Sequence, residues 1–309
     1  MTDRARIVVG FDGSPCSVQA ANWAVAQAAL DGSQVVLCHV RRHRHPLGGG
    51  GDTEAAEAEQ VLARGTRHVR KRAPKVDVVP AAAFGNPARR LIDAASDAAL
   101  LVVGMRGGDG PHEFRLGSVS AQAARHAHCT VVVVPDAGDH VDSGRRRLVV
   151  VGVDGSSSSH LALTFGFEQA ARRHAELRAI HVFDAATLQI MANLPQDDLR
   201  RLHVTAADTL HGLLSAHAQH HPGVRVSSAV LSGAPASTLT AAAADAELLV
   251  LGSRGHGDVA TLMLGSTSHT VLHNATCPVA VVRGEQRLTY PSSAGRPAVL
   301  DTAGPRSDR

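Results

Sequence analysis

The sequence predicts an α/β protein of two tandem domains, each a five-stranded parallel sheet, doubly wound with helices on both faces, the two packed as a pseudo-dimer. Three observations carry this. Short apolar runs alternate with segments whose apolar residues recur at helical spacing, through five strands in each half. The second half repeats the first, Asp154 following Asp12 by 142 residues and Gly252 following Gly104 by 148. In each half the fourth apolar run stops at a glycine, after which glycines recur at matched intervals. Right-handed crossovers leave few alternatives to a doubly wound, Rossmann-like arrangement. The boundaries read as residues 1–135 for the first domain, 136–146 for a polar linker, 147–284 for the second domain, and 285–309 for a Pro-, Ser-, Gly- and Arg-rich tail expected to be disordered.

The first strand is Arg6 to Gly10, repeated as Leu148 to Gly152. Phe11-Asp12-Gly13-Ser14 and Val153-Asp154-Gly155-Ser156 follow, each leading into a helix, Val18 to Leu30 and His160 to His174. Asp12 and Asp154 have two jobs open to them. Each can cap the helix or shape the turn before it, or can face a ligand at the carboxyl end of the central strand. Second strands run from Gln34 to Val40 and from Leu177 to Val182; His39 and His181 on them read as packed residues rather than catalysts. The next connections diverge and hold the six extra residues of the second half. The first is a basic loop with His43 and His45, read as solvated, before a helix from Thr53 to Arg72; the second, Phe183 to Asp198, precedes a helix from Leu199 to His220. Third strands, Val76 to Ala82 and Val224 to Leu231, end at Gly85-Asn86-Pro87 and Gly233-Ala234-Pro235.

The fourth strands, Leu100 to Val103 and Leu248 to Leu251, are apolar throughout, as strands buried on both faces are. From Gly104 there are two residues to Gly107 and nine to Gly117-Ser118; from Gly252 there are two to Gly255 and nine to Gly265-Ser266. Helices are expected from Val119 to Ala127 and from Thr267 to Asn274. Free N–H groups at such helix starts, with a serine hydroxyl beside them, suit a phosphate. A serine that merely caps its helix is the competing reading. Fifth strands, Thr130 to Val134 and Val279 to Val282, end each half as sheet edges that need covering, which favours pairing of the two halves.

Composition narrows the function. The formal charge of +3 on 309 residues gives no electrostatic footprint for nucleic acid, and no apolar run approaches the length of a membrane span. With no signal-like start and four cysteines without a close pair, a cytoplasmic protein is expected. The only lysines are Lys71 and Lys75, so neither glycine stretch is a Walker loop. Phosphate charge would be met by backbone N–H groups and by Arg106, Arg254 or Arg115. The fragment Gly255-His256-Gly257-Asp258-Val259-Ala260 fits a relaxed dinucleotide fingerprint but follows the fourth strand rather than the first.

The doubled pattern of glycine, two residues, glycine, nine residues, glycine and serine resembles the nucleotide-binding signature of the universal stress protein family, in its ATP-binding branch. The resemblance covers nearly the whole chain as two family domains. It implies ATP, with Mg²⁺ expected, in two sites. Gly104 and Gly252 would lie against the ribose, with Gly107, Gly117 and Ser118, and Gly255, Gly265 and Ser266, on the phosphates. Asp12 and Asp154 would contact the adenine end, and Val40 and Val182 would offer main-chain groups to the base. Gly10 and Gly152, ending the central strands, belong to the same sites, as do Arg106 and Arg254. The expected function is a nucleotide-dependent stress-response regulator that recognises a protein partner, with a homodimer possible. Two alternatives stay open: a slow ATPase or autophosphorylating enzyme using Asp109 or Asp258, and an adaptor that binds no nucleotide.

Overall fold

In the computed structural model the described residues are 4–41, 51–108, 116–136, 146–191, 194–255 and 264–283. The first half runs β1 (Arg6–Gly10), α1 (Pro15–Asp31), β2 (Gln34–Arg41), α2 (Gly51–Arg72), β3 (Val78–Phe84), α3 (Pro87–Ala94), β4 (Leu100–Gly104), α4 (Ser118–His126) and β5 (Thr130–Val134). The second half runs β6 (Arg146–Gly152), α5 (Ser157–Arg173), β7 (Glu176–Phe183), α6 (Ala185–Met191), α7 (Gln196–Ala218), β8 (Val226–Ser232), α8 (Pro235–Ala242), β9 (Ala246–Gly252), α9 (Ser266–Asn274) and β10 (Val279–Val282). The expected alternation is present. Helix α6 falls inside the connection read from sequence as the divergent segment 183–198, and β3 and β8 each begin two residues later than expected.

All ten strands form one sheet, in the order β3-β2-β1-β4-β5-β10-β9-β6-β7-β8. Within each half the pairs are parallel. Across the middle β10 runs antiparallel to β5, with Val133 opposite Val279 and Val131 opposite Val281. Each half thus closes the other's terminal edge, and the two-fold relation predicted as a pseudo-dimer becomes a continuous sheet. Alternation along the strands sends Ile7, Val9, Val102 and Val132 to one face and Val8, Leu101, Val103 and Val131 to the other. The core on each face draws residues from both halves, so the halves share their apolar interior.

Local signals explain the helices that frame the sheet. Helix α1 starts on Ser14, whose Oγ accepts from the Ser17 N–H, with Pro15 in the first turn, and stops at Gly32 in the left-handed region at φ 75°. Its small residues Ala20, Ala21, Ala24 and Ala28 are fully or almost fully buried, which lets the helix sit close on the strands. The equivalent α5 starts on Ser156 in the same way.

Helix α5 also carries a difference between the halves. Phe167 is fully buried, and its ring stacks on those of His217 and His221 near the end of α7, with centroids 5.4 and 5.6 Å apart. The corresponding first-half residues are Val69 and Ala73. Burial, then the nearby His160, His221 and His220, push His217 below its ordinary value of 6.5. A depressed histidine is preferentially neutral in the folded state, so the unfolded chain takes up more protons as pH falls. Stability is therefore held above about pH 6.5 and lost as pH drops through the folded value. Thermal unfolding between pH 8 and 5 should show this acid loss, and His217→Val should flatten it; an unchanged slope would mean His217 does not set acid sensitivity.

Candidate functional site

In each half the strand order reverses beside the first strand: β1 has β2 on one side and β4 on the other, and β6 lies likewise between β7 and β9. The crevice outside the carboxyl ends at such a switch point is where open α/β sheets take ligands. Asp12 follows β1 and Gly104 ends β4, which brings the two motifs read separately from the sequence to one place. Asp154 and Gly252 meet in the same way.

The two aspartates shape their turns through one oxygen. Asp12 Oδ1 accepts from the Ser14 N–H at 2.9 Å, and Asp154 Oδ1 from the Ser156 N–H at 2.9 Å. Neither caps its helix; that is done by Ser14 and Ser156. The turn closes on Gly13 and Gly155, both in the left-handed region at φ 83° and 86°, a glycine requirement not assigned from the sequence. The other oxygen faces the glycine loop. Asp12 Oδ2 accepts from the Gly108 N–H at 3.0 Å. A Cβ on Gly107 would stand 2.8 Å from that same Oδ2, and a Cβ on Gly255 would stand 2.8 Å from Oδ2 of Asp154. Each second glycine thus makes room for a carboxylate. Burial alone would push the Asp12 carboxyl up, but hydrogen bonds from Ser14, Gly108 and Ser17 outweigh it and hold it below its ordinary 3.8.

The first glycines serve a different approach. A Cβ on Gly104 would lie 2.6 Å from the carbonyl carbon of Cys16, and one on Gly252 would lie 2.7 Å from Cβ of Ser158. A side chain at either position would collide with the first turn of α1 or α5, so the missing Cβ of each first glycine serves helix packing. Gly10 and Gly152 are packing positions as well, their missing Cβ atoms facing Leu91 and Leu251 at 2.9 and 2.7 Å.

The third glycine closes the loop. Gly117 N–H donates to Met105 O at 2.8 Å, and Gly265 N–H to Ser253 O at 2.9 Å. Gly117 and Gly265 are themselves the N-caps of α4 and α9, with no side chain capping either helix, and Ser118 and Ser266 are the first helical residues. The competing view of these serines as caps is thereby excluded, and among the described residues no side chain caps the N–H groups at either helix start. The serine two residues further on was missed. Ser120 Oγ donates to Gly104 O at 2.6 Å and Ser268 Oγ to Gly252 O at 2.7 Å, tying each helix start to the end of its strand. Its signal was the identical 16-residue interval in the two halves.

The base-side residues are also brought here. The last rung between β1 and β2 is Phe11 N–H to Cys38 O at 2.8 Å, and Gly85 N–H bonds Arg41 O on the opposite side. Main-chain groups alternate sides along a strand, so the N–H and C=O of Val40 point past the end of β1. Val182 is placed likewise, after Val153 N–H to Ile180 O at 2.9 Å. His39 and His181 are satisfied residues: each Nδ1 meets a carbonyl, Phe11 O at 2.7 Å or Val153 O at 2.8 Å, and as a carbonyl only accepts, each ring donates.

In the second half these groups surround a cavity of about 490 Å³, a size suited to a small ligand. Its walls include Gly152, Asp154, Val182, Gly252, Arg254, Gly255, Gly265 and Ser266, the complete second-half set expected from the sequence. In the first half Arg106 reaches Asp136, Nη2 to Oδ2 at 3.5 Å. The expectations on His43, His45, Asp109, Arg115, Asp258 and the fragment 255–260 beyond Gly255, most of the linker and the tail lie outside the described residues.

Comparison with known proteins follows the same duplication. Residues 4–135 and 145–283 each match the model of the universal stress protein family. A universal stress protein of Mycobacterium tuberculosis is 32% identical over 291 residues, covering 90% of this chain and 96% of that one. A universal stress protein of Mycobacterium bovis is 31% identical over 288 residues, covering 90% and 96%. Among solved structures, a universal stress protein from Archaeoglobus fulgidus has a TM-score of 0.65 at 22% identity, covering 91% and 97%, and shares the fold.

Proposed function

The chain belongs to the universal stress protein family, and from that premise we propose that it binds ATP in both halves and acts as a nucleotide-dependent regulator of a protein partner. One observation supports this reading most: the cavity beyond β6 and β9 gathers, from three separate stretches of chain, the Asp154 carboxylate, main chain on Val182 and the start of α9. The pieces suit the parts of a nucleotide. Main-chain donors and acceptors at a strand end fit a base edge, and a carboxylate accepts from hydroxyl or amino groups. The free N–H groups of α9 with the Ser266 hydroxyl fit phosphate oxygens. The first half offers the same parts through Asp12, Val40, Gly107, Gly117 and Ser118. Mg²⁺ would arrive on the phosphates, since among the described residues no group of three or more His, Cys, Asp or Glu could hold a metal ion.

Among the described residues no helix is long and apolar enough to cross a membrane. The test is calorimetric titration of the intact chain with MgATP, after denaturing a portion of freshly purified protein and identifying any nucleotide it releases. Nucleotide carried through purification, or titration to as many as two ATP per chain, is expected. No carried nucleotide together with no heat of binding would overturn the reading.

A further inference from the structure

The two halves differ in the charge beside their glycine loops. In the first half Arg106 is held by Asp136, which follows Pro135 just after β5. Met105 N–H bonds Val134 O at 2.7 Å, so the register sets Arg106 beside those two residues. The second half repeats the backbone, Ser253 N–H bonding Val282 O at 2.9 Å. There the neighbour of Arg254 is Arg283, in the place of Pro135. Neither arginine makes an ion pair with a carboxylate among the described residues.

Arg283 cannot relieve this by moving into solvent. Its Nη2 donates to Ala124 O at 2.6 Å, near the end of α4, and its Nε is buried without a hydrogen-bond partner. Burial first, then the charge of Arg254, push Arg283 down to about 10. Arg125 and His126, in the last turn of α4, belong to the same basic group: burial, then Arg125 and Arg283, lower His126. The equivalent residues of α9 are His273 and Asn274. Arg254 lines the cavity, while Arg283 stands behind it and is fixed from the other half of the molecule. Two adjacent like charges in a partly dry site are stabilised by an anion set against them.

Resting on the ATP reading, we infer that the sites are unequal: the second-half site selects nucleotides by phosphate charge, taking a triphosphate far better than a monophosphate, through Arg254 backed by Arg283. The first-half site, its arginine paired with Asp136, discriminates by base and ribose and is more tolerant of the monophosphate. Because Arg283 is anchored on α4, this selectivity belongs to the joined halves.

The experiment measures ATP and AMP affinity in the full chain carrying Gly255→Ala, to report the first site, or Gly107→Ala, to report the second. The ATP-to-AMP affinity ratio should be about tenfold or more higher at the second site, the worth of one charge-assisted phosphate contact. Arg283→Gln should lower that ratio toward the first site's value. Asp136→Asn, a change at a partly exposed residue that does not threaten folding, should raise the first site's ratio. Equal ratios, or a higher ratio at the first site, with ATP still binding would overturn the inference and leave the ATP reading standing. Loss of all nucleotide binding in the unsubstituted chain would instead overturn the ATP reading itself.

Discussion

A chain carrying both Gly107→Ala and Gly255→Ala should lose about 10- to 100-fold in ATP affinity at each site, equivalent to about 1.4 to 2.8 kcal/mol, with little change in melting temperature. Neither glycine has positive φ, so alanine fits both backbones without strain. Among the described residues the added methyl carbon meets one atom within 4 Å, Oδ2 of Asp12 or of Asp154, at 2.8 Å. The carboxylate must swing away, and at Asp12 it gives up the 3.0 Å bond from Gly108 that links strand turn to glycine loop. The damage falls on the site and spares the core. Gly104→Ala is the contrasting control. There the methyl would enter the backbone of Cys16 at 2.6 Å, α1 must shift, and about 3 kcal/mol or more of stability should go with it. Isothermal titration beside thermal unfolding separates the two. If Gly107→Ala and Gly255→Ala bound ATP as the parent does, the carboxylates would not be part of the site.

This contrast shows where the sequence was legible. Glycine spacing pointed to both candidate sites because a doubled pattern with two matched long intervals is rare, and the all-apolar runs such as Leu100 to Val103 announced strands covered on both faces. What each glycine makes room for was not legible. The Cβ vector of Gly104 points at α1, that of Gly107 at a carboxylate, and that of Gly10 at Leu91, and these directions depend on how helices pack, which spacing does not encode. The same limit hid Ser120 and Ser268, whose hydroxyls act across 16 residues on the carbonyls of Gly104 and Gly252. Helix α6 was missed for a local reason: at seven residues it is too short to show a helical period.

The joint between the halves was predicted only as a pairing of edges, yet its polar part is where a single substitution should cost most. Arg173 comes from α5 and is almost wholly buried. Its Nη2 donates to Oε1 of Gln27 on α1 at 2.6 Å, and its Nε to Oε1 of Gln169 at 3.3 Å. Nη1 lies 3.9 Å from Glu247, and the guanidinium carbon sits 5.1 Å from the centre of the Trp23 ring. Gln27 is fully buried and passes the network on, its Nε2 donating to Asp31 at 2.8 Å. Burial lowers the Arg173 pKa against the pull of Glu247 and Asp31, but an arginine stays charged at neutral pH. Arg173→Ala would leave the Gln27 oxygen and the Glu247 carboxylate without their cation and open space beside Trp23. Loss of one member of a buried ionic group typically costs about 3–5 kcal/mol. Urea unfolding should show a loss in that range, and because both cores are shared across the joint, the transition should broaden or split as the halves uncouple. A loss below about 1 kcal/mol with a single sharp transition would assign the joint to the strand pair β5–β10 alone. The position equivalent to Arg173 is Asp31, so the joint is built from opposite charges at matching places, and pairing first half with second is favoured over pairing either half with its own copy.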